Sequence, residues 1–307
     1  MDSKEKKILV VSYSLSGQIV EILDDFLIPF REHCVDRVNI TPKNKFSFPW
    51  NINEFFNVMP ECVLEDPIEI VKPKFKYQDY DLIVFGYQPW FLSPSLPTRA
   101  IFECQEFQKI IKGKPIVTIS GSRNSWILAQ DSMKNLIHKA DGLLVGNIPL
   151  IDRSPNLVSA VTVQYWTLKG KTDRKWGIFP YPGVDRNEIK ETHKYGYIVN
   201  QAMLNNNYQT VQADILNLNK IQVSPNILFM ETRGKKIFTI WAKHIKKMEA
   251  KGKNRMLWIK IFRHYITTAL FLLSPLVMII YSLIIRPLTF RSIKRKKSII
   301  LNNNLTL

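Results

Sequence analysis

The feature that most constrains this chain is a set of five short strand-like runs, most of them alternating with residues at helical spacing. Residues 8–12 (ILVVS) have the length and continuous apolarity of a strand buried on both faces, and 35–40, 81–86, 115–120 and 142–146 give further strand signals. Between them, Ile19, Ile22, Leu23, Phe26 and Leu27 fall on one helical face within 19–30. Further helical stretches cover 97–112, 126–140 and 187–204. Strands alternating with helices at this pitch predict an α/β domain with a five-stranded, doubly wound parallel sheet. A ligand of such a sheet sits beyond the carboxyl ends of the strands, where the strand order reverses.

Three loops at those ends carry the chemistry. After the first strand, Ser12-Tyr13-Ser14-Leu15-Ser16-Gly17-Gln18 places hydroxyls and backbone N–H groups at a helix start, a site suited to a phosphate. The patterns of a nucleotide P-loop and of a dinucleotide fold are both absent, which argues against ATP, GTP and NAD. After the third strand, Tyr87, Gln88, Pro89, Trp90 and Phe91 offer flat faces for a planar ring and backbone groups for its edge. After the fourth, 120–126 (SGSRNSW) is small and polar, and Arg123 can balance a negative charge on a ring or hold a substrate carboxylate.

Together the three loops resemble the flavodoxin-like, FMN-binding superfamily over about residues 6–150. The resemblance implies that Ser12, Ser14, Ser16, Gly17 and Gln18 hold the FMN phosphate. It further implies that Gln88, Pro89, Trp90 and Gly121 contact the ring. One departure is Ile19, where the family often carries a threonine that closes the phosphate loop. More narrowly, the layout is similar to the dialkylresorcinol-forming (condensing) enzymes of bacterial aryl-polyene and flexirubin pigment pathways. That resemblance implies oxidation of an alkyl cyclohexanedione to a resorcinol, with a homodimer or a ketosynthase as partner.

Net charge at first suggests a nucleic-acid binder, but its distribution does not. Residues 1–234 hold 27 Lys+Arg against 25 Asp+Glu, whereas 235–307 hold 16 against Glu249 alone. The basic tail also contains 266–285, twenty residues without a charge, long enough to cross hydrocarbon as a helix. Pro275 lies at its centre and predicts a kink. Upstream, Ile237, Trp241, Ile245 and Met248 share a helical face, with Lys243, Lys246, Lys247 and Lys251 on others, the pattern of a helix that rests on anionic headgroups. Basic residues flank the apolar run on both sides, against the rule for a simple span. A helix bent at Pro275 that enters one leaflet and returns accommodates this better than a span; a buried hairpin is the third option. No nucleic-acid fold accompanies the tail, so no nucleic-acid partner is expected.

These observations divide the chain into an FMN-binding domain at 1–206 with insertions at 42–78 and 155–185, a linker at 207–235, a membrane-associating segment at 236–297 and a tail at 298–307. Residues 42–78, rich in proline, read as an irregular cap, and 155–185 as an aromatic, loop-rich wall. Cys34, Cys62 and Cys104 form neither a disulfide framework nor a metal motif, and no metal is expected. With no apolar leader in the first residues, the expected location is the cytoplasmic face of the inner membrane. The expected activity is a flavin-dependent oxidoreductase (dehydrogenase or aromatase type) acting on a lipophilic small molecule. Tyr87, His138, Tyr165 and His193 are its candidate bases. The alternatives are a membrane-tethered electron carrier and a flavin-free binding protein.

Overall fold

The computed structural model describes residues 5–303; of the expected tail, 304–307 lie outside the described residues. Five parallel strands form the sheet: β1 (Lys7–Ser12), β2 (Cys34–Asn39), β3 (Leu82–Tyr87), β4 (Pro115–Ser122) and β5 (Leu143–Ile151). Their order is β2-β1-β3-β4-β5. This is the flavodoxin-like doubly wound arrangement, whose switch point lies between β1 and β3. The last two strands run beyond the stretches expected for them, because their pairing continues from Pro115–Leu143 to Ser122–Ile151.

Alternation along the strands builds two cores. Ile8, Val10, Leu82, Val84, Val117, Ile119, Ile148 and Leu150 face one side. There they bury α1 (Gln18–Phe26). Leu9, Val11, Ile83, Phe85 and Ile116 face the other. Here they meet α5 (Gln105–Ile111) and α6 (Ile127–Lys139). Gly86 at the end of β3 is required by close packing: a Cβ there would lie 2.7 Å from Leu23 Cδ1 and 2.9 Å from Ile19 Cγ2.

Both insertions are more ordered than expected. Residues 42–78 contain α2 (Ile52–Asn57) and α3 (Met59–Leu64). Pro60 stands in the first turn of α3, where its missing N–H costs nothing, so proline here starts a helix rather than breaking one. α4 (Leu96–Ala100) opens the run to α5 in the same way, with Pro97 in its first turn. Residues 155–185 begin with α7 (Asn156–Lys169), a helix disguised by its β-branched and aromatic residues. The expected helix at 187–204 divides into α8 (Arg186–Ile189) and α9 (His193–Leu204).

The expected linker at 207–235 is not a linker. It holds α10 (Val211–Asn217), with Val211 and Ile215 buried against Gly146 of β5, and then the start of α11 (Pro225–Ala250). The amphipathic face of α11 is also used differently from expectation. Ala242 and Ile245 are buried in a third cluster with Met59 and Val63 of α3 and with Phe262, so the face closes a protein core instead of meeting lipid. Lys246 is likewise taken, by Glu61 at 2.7 Å and Asp66 at 3.1 Å.

After α11 comes α12 (Arg255–Leu288), 34 residues long, and α13 (Phe290–Leu301). Pro275 does not bend α12 into a return. Wide turns at Ala269–Leu273 and Tyr281–Ile285 redistribute the helical hydrogen bonds, and the helix runs on past the proline. Nor is it a buried hairpin, since Leu272, Leu276, Ile279, Ile280 and Leu283 are exposed. The expected tail at 298–307 begins inside α13, whose Ile300 is buried in the first core.

Candidate functional site

The loops after β1, β3 and β4 meet in one cavity of about 550 Å³ at the carboxyl edge of the sheet. Leu15, Ser16, Gln18 and Ile19 border it from the first loop, Gln88 to Leu92 from the second, and Gly121, Ser122, Arg123 and Ser125 from the third. Trp50 and Phe55 add aromatic surface from the first insertion, and Gln164 and Trp166 from α7. The opposite wall is α11 through Glu231, Gly234 and Phe238, and α12 closes over it with Leu270, Phe271, Val277 and Met278.

The first loop is shaped around its backbone donors. Gly17 precedes α1 at φ +89°, a left-handed conformation open to glycine, with free space where a Cβ would stand. Its N–H donates to Ser14 Oγ at 3.0 Å, and the Ile19 N–H to the same oxygen at 3.3 Å. Two backbone donors at the helix start are thus satisfied by the Ser14 hydroxyl, which fixes the shape of the loop from within. Leu15 N–H donates to Gln88 Oε1 at 3.3 Å, which couples the first loop to the second.

The second loop turns sharply through Phe91 and Leu92, both at positive φ, and is closed by the short antiparallel pairing of Pro89–Trp90 with Ser93–Pro94. Lys235 of α11 holds this turn: its Nζ donates to Leu92 O and to Ser93 Oγ. Trp90 borders the cavity with its back against Trp50, centroids 4.7 Å apart, and against Tyr13 at 5.8 Å.

Of the nine expected FMN contacts, Ser16, Gln18, Gln88, Pro89, Trp90 and Gly121 border the cavity. The other three do not. Ser12 is buried and its Oγ donates to Asn39 Oδ1 at 3.2 Å, tying β1 to β2. Ser14 and Gly17 shape the loop from beneath, as described. Gln18, though at the cavity, spends its side-chain amide on the backbone of Val184.

None of the four expected bases borders the cavity. Tyr87 is fully buried and donates to Gln130 Oε1 at 2.8 Å, in a network with Thr118 and Asn147; burial pushes its phenol up. His138 is exposed at the C-terminal end of α6, at the opposite edge of the sheet. Tyr165 points away from its cavity-lining neighbours and donates to Asp173 at 3.3 Å. His193 caps α9 against Asp25, 3.1 Å from its Nδ1.

Among the described residues, the ionisable groups that do border it are Arg123, Arg233, Glu231 and, from α12, Tyr265. Arg123 donates to Asn156 O at 3.2 Å; burial lowers its guanidinium pKa, opposed by Asp152 and Glu231. Glu231 is 1% exposed and accepts from Leu128 N–H at 2.8 Å and Ile127 N–H at 3.3 Å, at the start of α6. Burial pushes its carboxyl up to about 7, against those two backbone hydrogen bonds. Glu231 was invisible in the sequence because it fell in the presumed linker. Ser122 adds a buried Oγ with no partner among the described residues.

No family model matches the chain, and no curated protein matches it, so the narrower pigment-pathway resemblance gains no support. Solved structures do match. A flavoprotein from Lactobacillus acidophilus in complex with FMN is 18% identical, covering 47% of this chain and 92% of its own, with a TM-score of 0.39. A Fusobacterium nucleatum flavodoxin mutant bound to flavin mononucleotide is 12% identical, covering 47% and 70%, at 0.30. A flavone reductase is 13% identical, covering 64% and 62%, at 0.34. At these scores the likenesses add nothing to what strand order establishes: the fold of this chain is flavodoxin-like.

Proposed function

We propose that the chain is an FMN-dependent oxidoreductase that acts on a lipophilic substrate at a membrane surface. The observation that carries this reading is that three loops at the switch point open into one cavity whose other wall is an exposed apolar helix. The residues present fit the group: Ser16 and Gln88 border the cavity from the first two loops, Trp90 and Gly121 stand beside them, and the Ser122 hydroxyl has no partner among the described residues.

When bound, FMN accepts a hydride from an organic substrate. Backbone donors of the first loop would hold its phosphate, with Gln88, Trp90 and Gly121 around its ring. Arg123 is the cation positioned to balance negative charge in the cavity. A dehydrogenation also releases a proton, and Glu231 is the one carboxylate among the described lining residues, with no histidine beside it. Its carboxyl, held near neutrality by burial, suits that role. The apolar roof excludes water and accommodates an alkyl chain; an alkyl cyclohexanedione is the substrate class implied by the narrower resemblance.

A simple electron carrier is disfavoured by the same geometry, because α11 and α12 cover the cavity edge that a protein partner would need. The test is anaerobic mixing of the FMN-loaded full chain with cyclohexanediones of increasing alkyl length. Flavin bleaching that accelerates with chain length and is slowed in Glu231→Gln supports the proposal. No bleaching with any ring, alongside rapid exchange with small redox proteins, would favour the carrier.

A further inference from the structure

We infer that α12 does not cross a bilayer but lies in the plane of one anionic leaflet, so that the cavity opens into the acyl-chain layer beside it. This deepens the proposed membrane action and leaves the flavin chemistry untouched. The apolar run 266–285 is tethered along its length. At its start Phe262 is buried among Phe56, Phe238 and Trp241, and Arg255 pairs with Glu61 at 2.7 Å. Near its end Tyr281 stacks on Phe229 with centroids 4.0 Å apart and donates to Pro225 O. Beyond it, Ile300 is buried and Gln212 Nε2 donates to Leu301 O at 2.7 Å.

A helix of 34 residues is about 51 Å long at about 1.5 Å per residue, and this one is docked to the domain at its beginning, near its end and through the segment that follows. It cannot pass through hydrocarbon while Tyr281, inside the apolar run, touches α11. Its free face can still enter a leaflet: Leu276 is 62% exposed and Leu283 72%.

Charge selects the partner. Lys251, Lys253 and Lys260 are exposed before the run, and Arg286, Arg291, Lys294, Arg295 and Lys296 after it. Such flanks conflict with a span but suit a helix lying among anionic headgroups. A second exposed patch borders the same cavity. The chain leaves the cavity wall after Leu168 and returns to it at Gly183. Between them Trp176, Ile178 and Tyr181 are 75%, 73% and 68% exposed, accompanied by Lys171, Arg174 and Lys175. Aromatic and basic residues together are the composition of a membrane–water interface.

The test uses the full chain with single added cysteines, Lys253→Cys and Ser292→Cys, in membrane vesicles of both orientations. A membrane-impermeant maleimide is scored against the parent chain. Both cysteines labelling from the cytoplasmic side only is the expected result; one labelling from each side would overturn the in-plane placement while leaving the oxidoreductase reading standing. In parallel, binding to phosphatidylcholine vesicles with and without about a third of phosphatidylglycerol is measured for Leu276→Asp/Leu283→Asp and for Trp176→Ala. Anionic vesicles are expected to be favoured, with roughly a tenfold or greater loss in the double variant. Unchanged binding in the double variant, or no binding to any vesicle together with a stable dimer burying this face, would overturn the inference.

Discussion

The floor of the cavity and its roof are held by different kinds of interaction. The floor is the carboxyl edge of a parallel sheet, where β1, β3 and β4 fix three loops through backbone registers. The roof is made of helices about 100 or more residues away in sequence, held by aromatic packing around Phe262 and by side-chain ion pairs at Glu61. A backbone-built floor presents the same donors whatever the side chains around it, which suits a constant cofactor. A side-chain-built roof can change shape with a few substitutions, which suits a particular substrate. If that division holds, disturbing the roof leaves the phosphate loop intact.

The largest effect should come from Phe262→Ala, which empties the centre of the third cluster. A loss of about 3–5 kcal/mol is expected in chemical denaturation if roof and sheet unfold together. An early, separate transition would instead show that they are independent units. Next comes Glu231→Gln. The folded carboxyl titrates near 7 and the unfolded one near 4.5, so the folded state binds the extra proton between these values. Stability from this group is therefore full below pH 4.5 and lost as pH rises through 7, by roughly 3 kcal/mol. The variant should lack that slope; an identical slope in both chains would remove Glu231 as its source.

A smaller effect is expected for Arg255→Ala. Burial pushes Glu61 up, but Arg255 and Lys246 hold its carboxyl below the usual range. Removing the arginine should cost about 1–3 kcal/mol at neutral pH, a deficit that shrinks on acidification as Glu61 protonates. Gly17→Ala tests the floor alone. The left-handed backbone there costs about 1 kcal/mol for alanine, and FMN affinity should fall while the roof's response to Phe262→Ala stays the same. Double-variant stabilities that fail to add would show floor and roof to be coupled.

How much could be read from the sequence follows the same line. Strand runs and the loops that end them depend on near neighbours, so the sheet, its switch point and the position of Gln88 and Gly121 at the cavity were legible. Ser12 was misassigned because one residue decides whether a strand-end hydroxyl faces the ligand or the neighbouring strand, and it faces Asn39. The roof was not legible. Whether the face of α11 carrying Ile245 meets lipid or protein depends on α3, some 180 residues earlier. Histidine and tyrosine identity pointed to groups that lie away from the cavity for the same reason, since His193 and Tyr87 are engaged by Asp25 and Gln130, partners no local pattern reveals. Glu231 reaches the cavity only when α11 folds across the start of α6.

The central claim, that the floor of this cavity holds FMN, is tested most directly by the absorption spectrum of the full-length chain purified in detergent, before and after heat release. Flavin bands in the protein, and FMN identified by mass in the released fraction at about one per chain, are the predicted result. A colourless protein that takes up no added FMN would contradict the account and leave a membrane-surface protein with an apolar binding cavity.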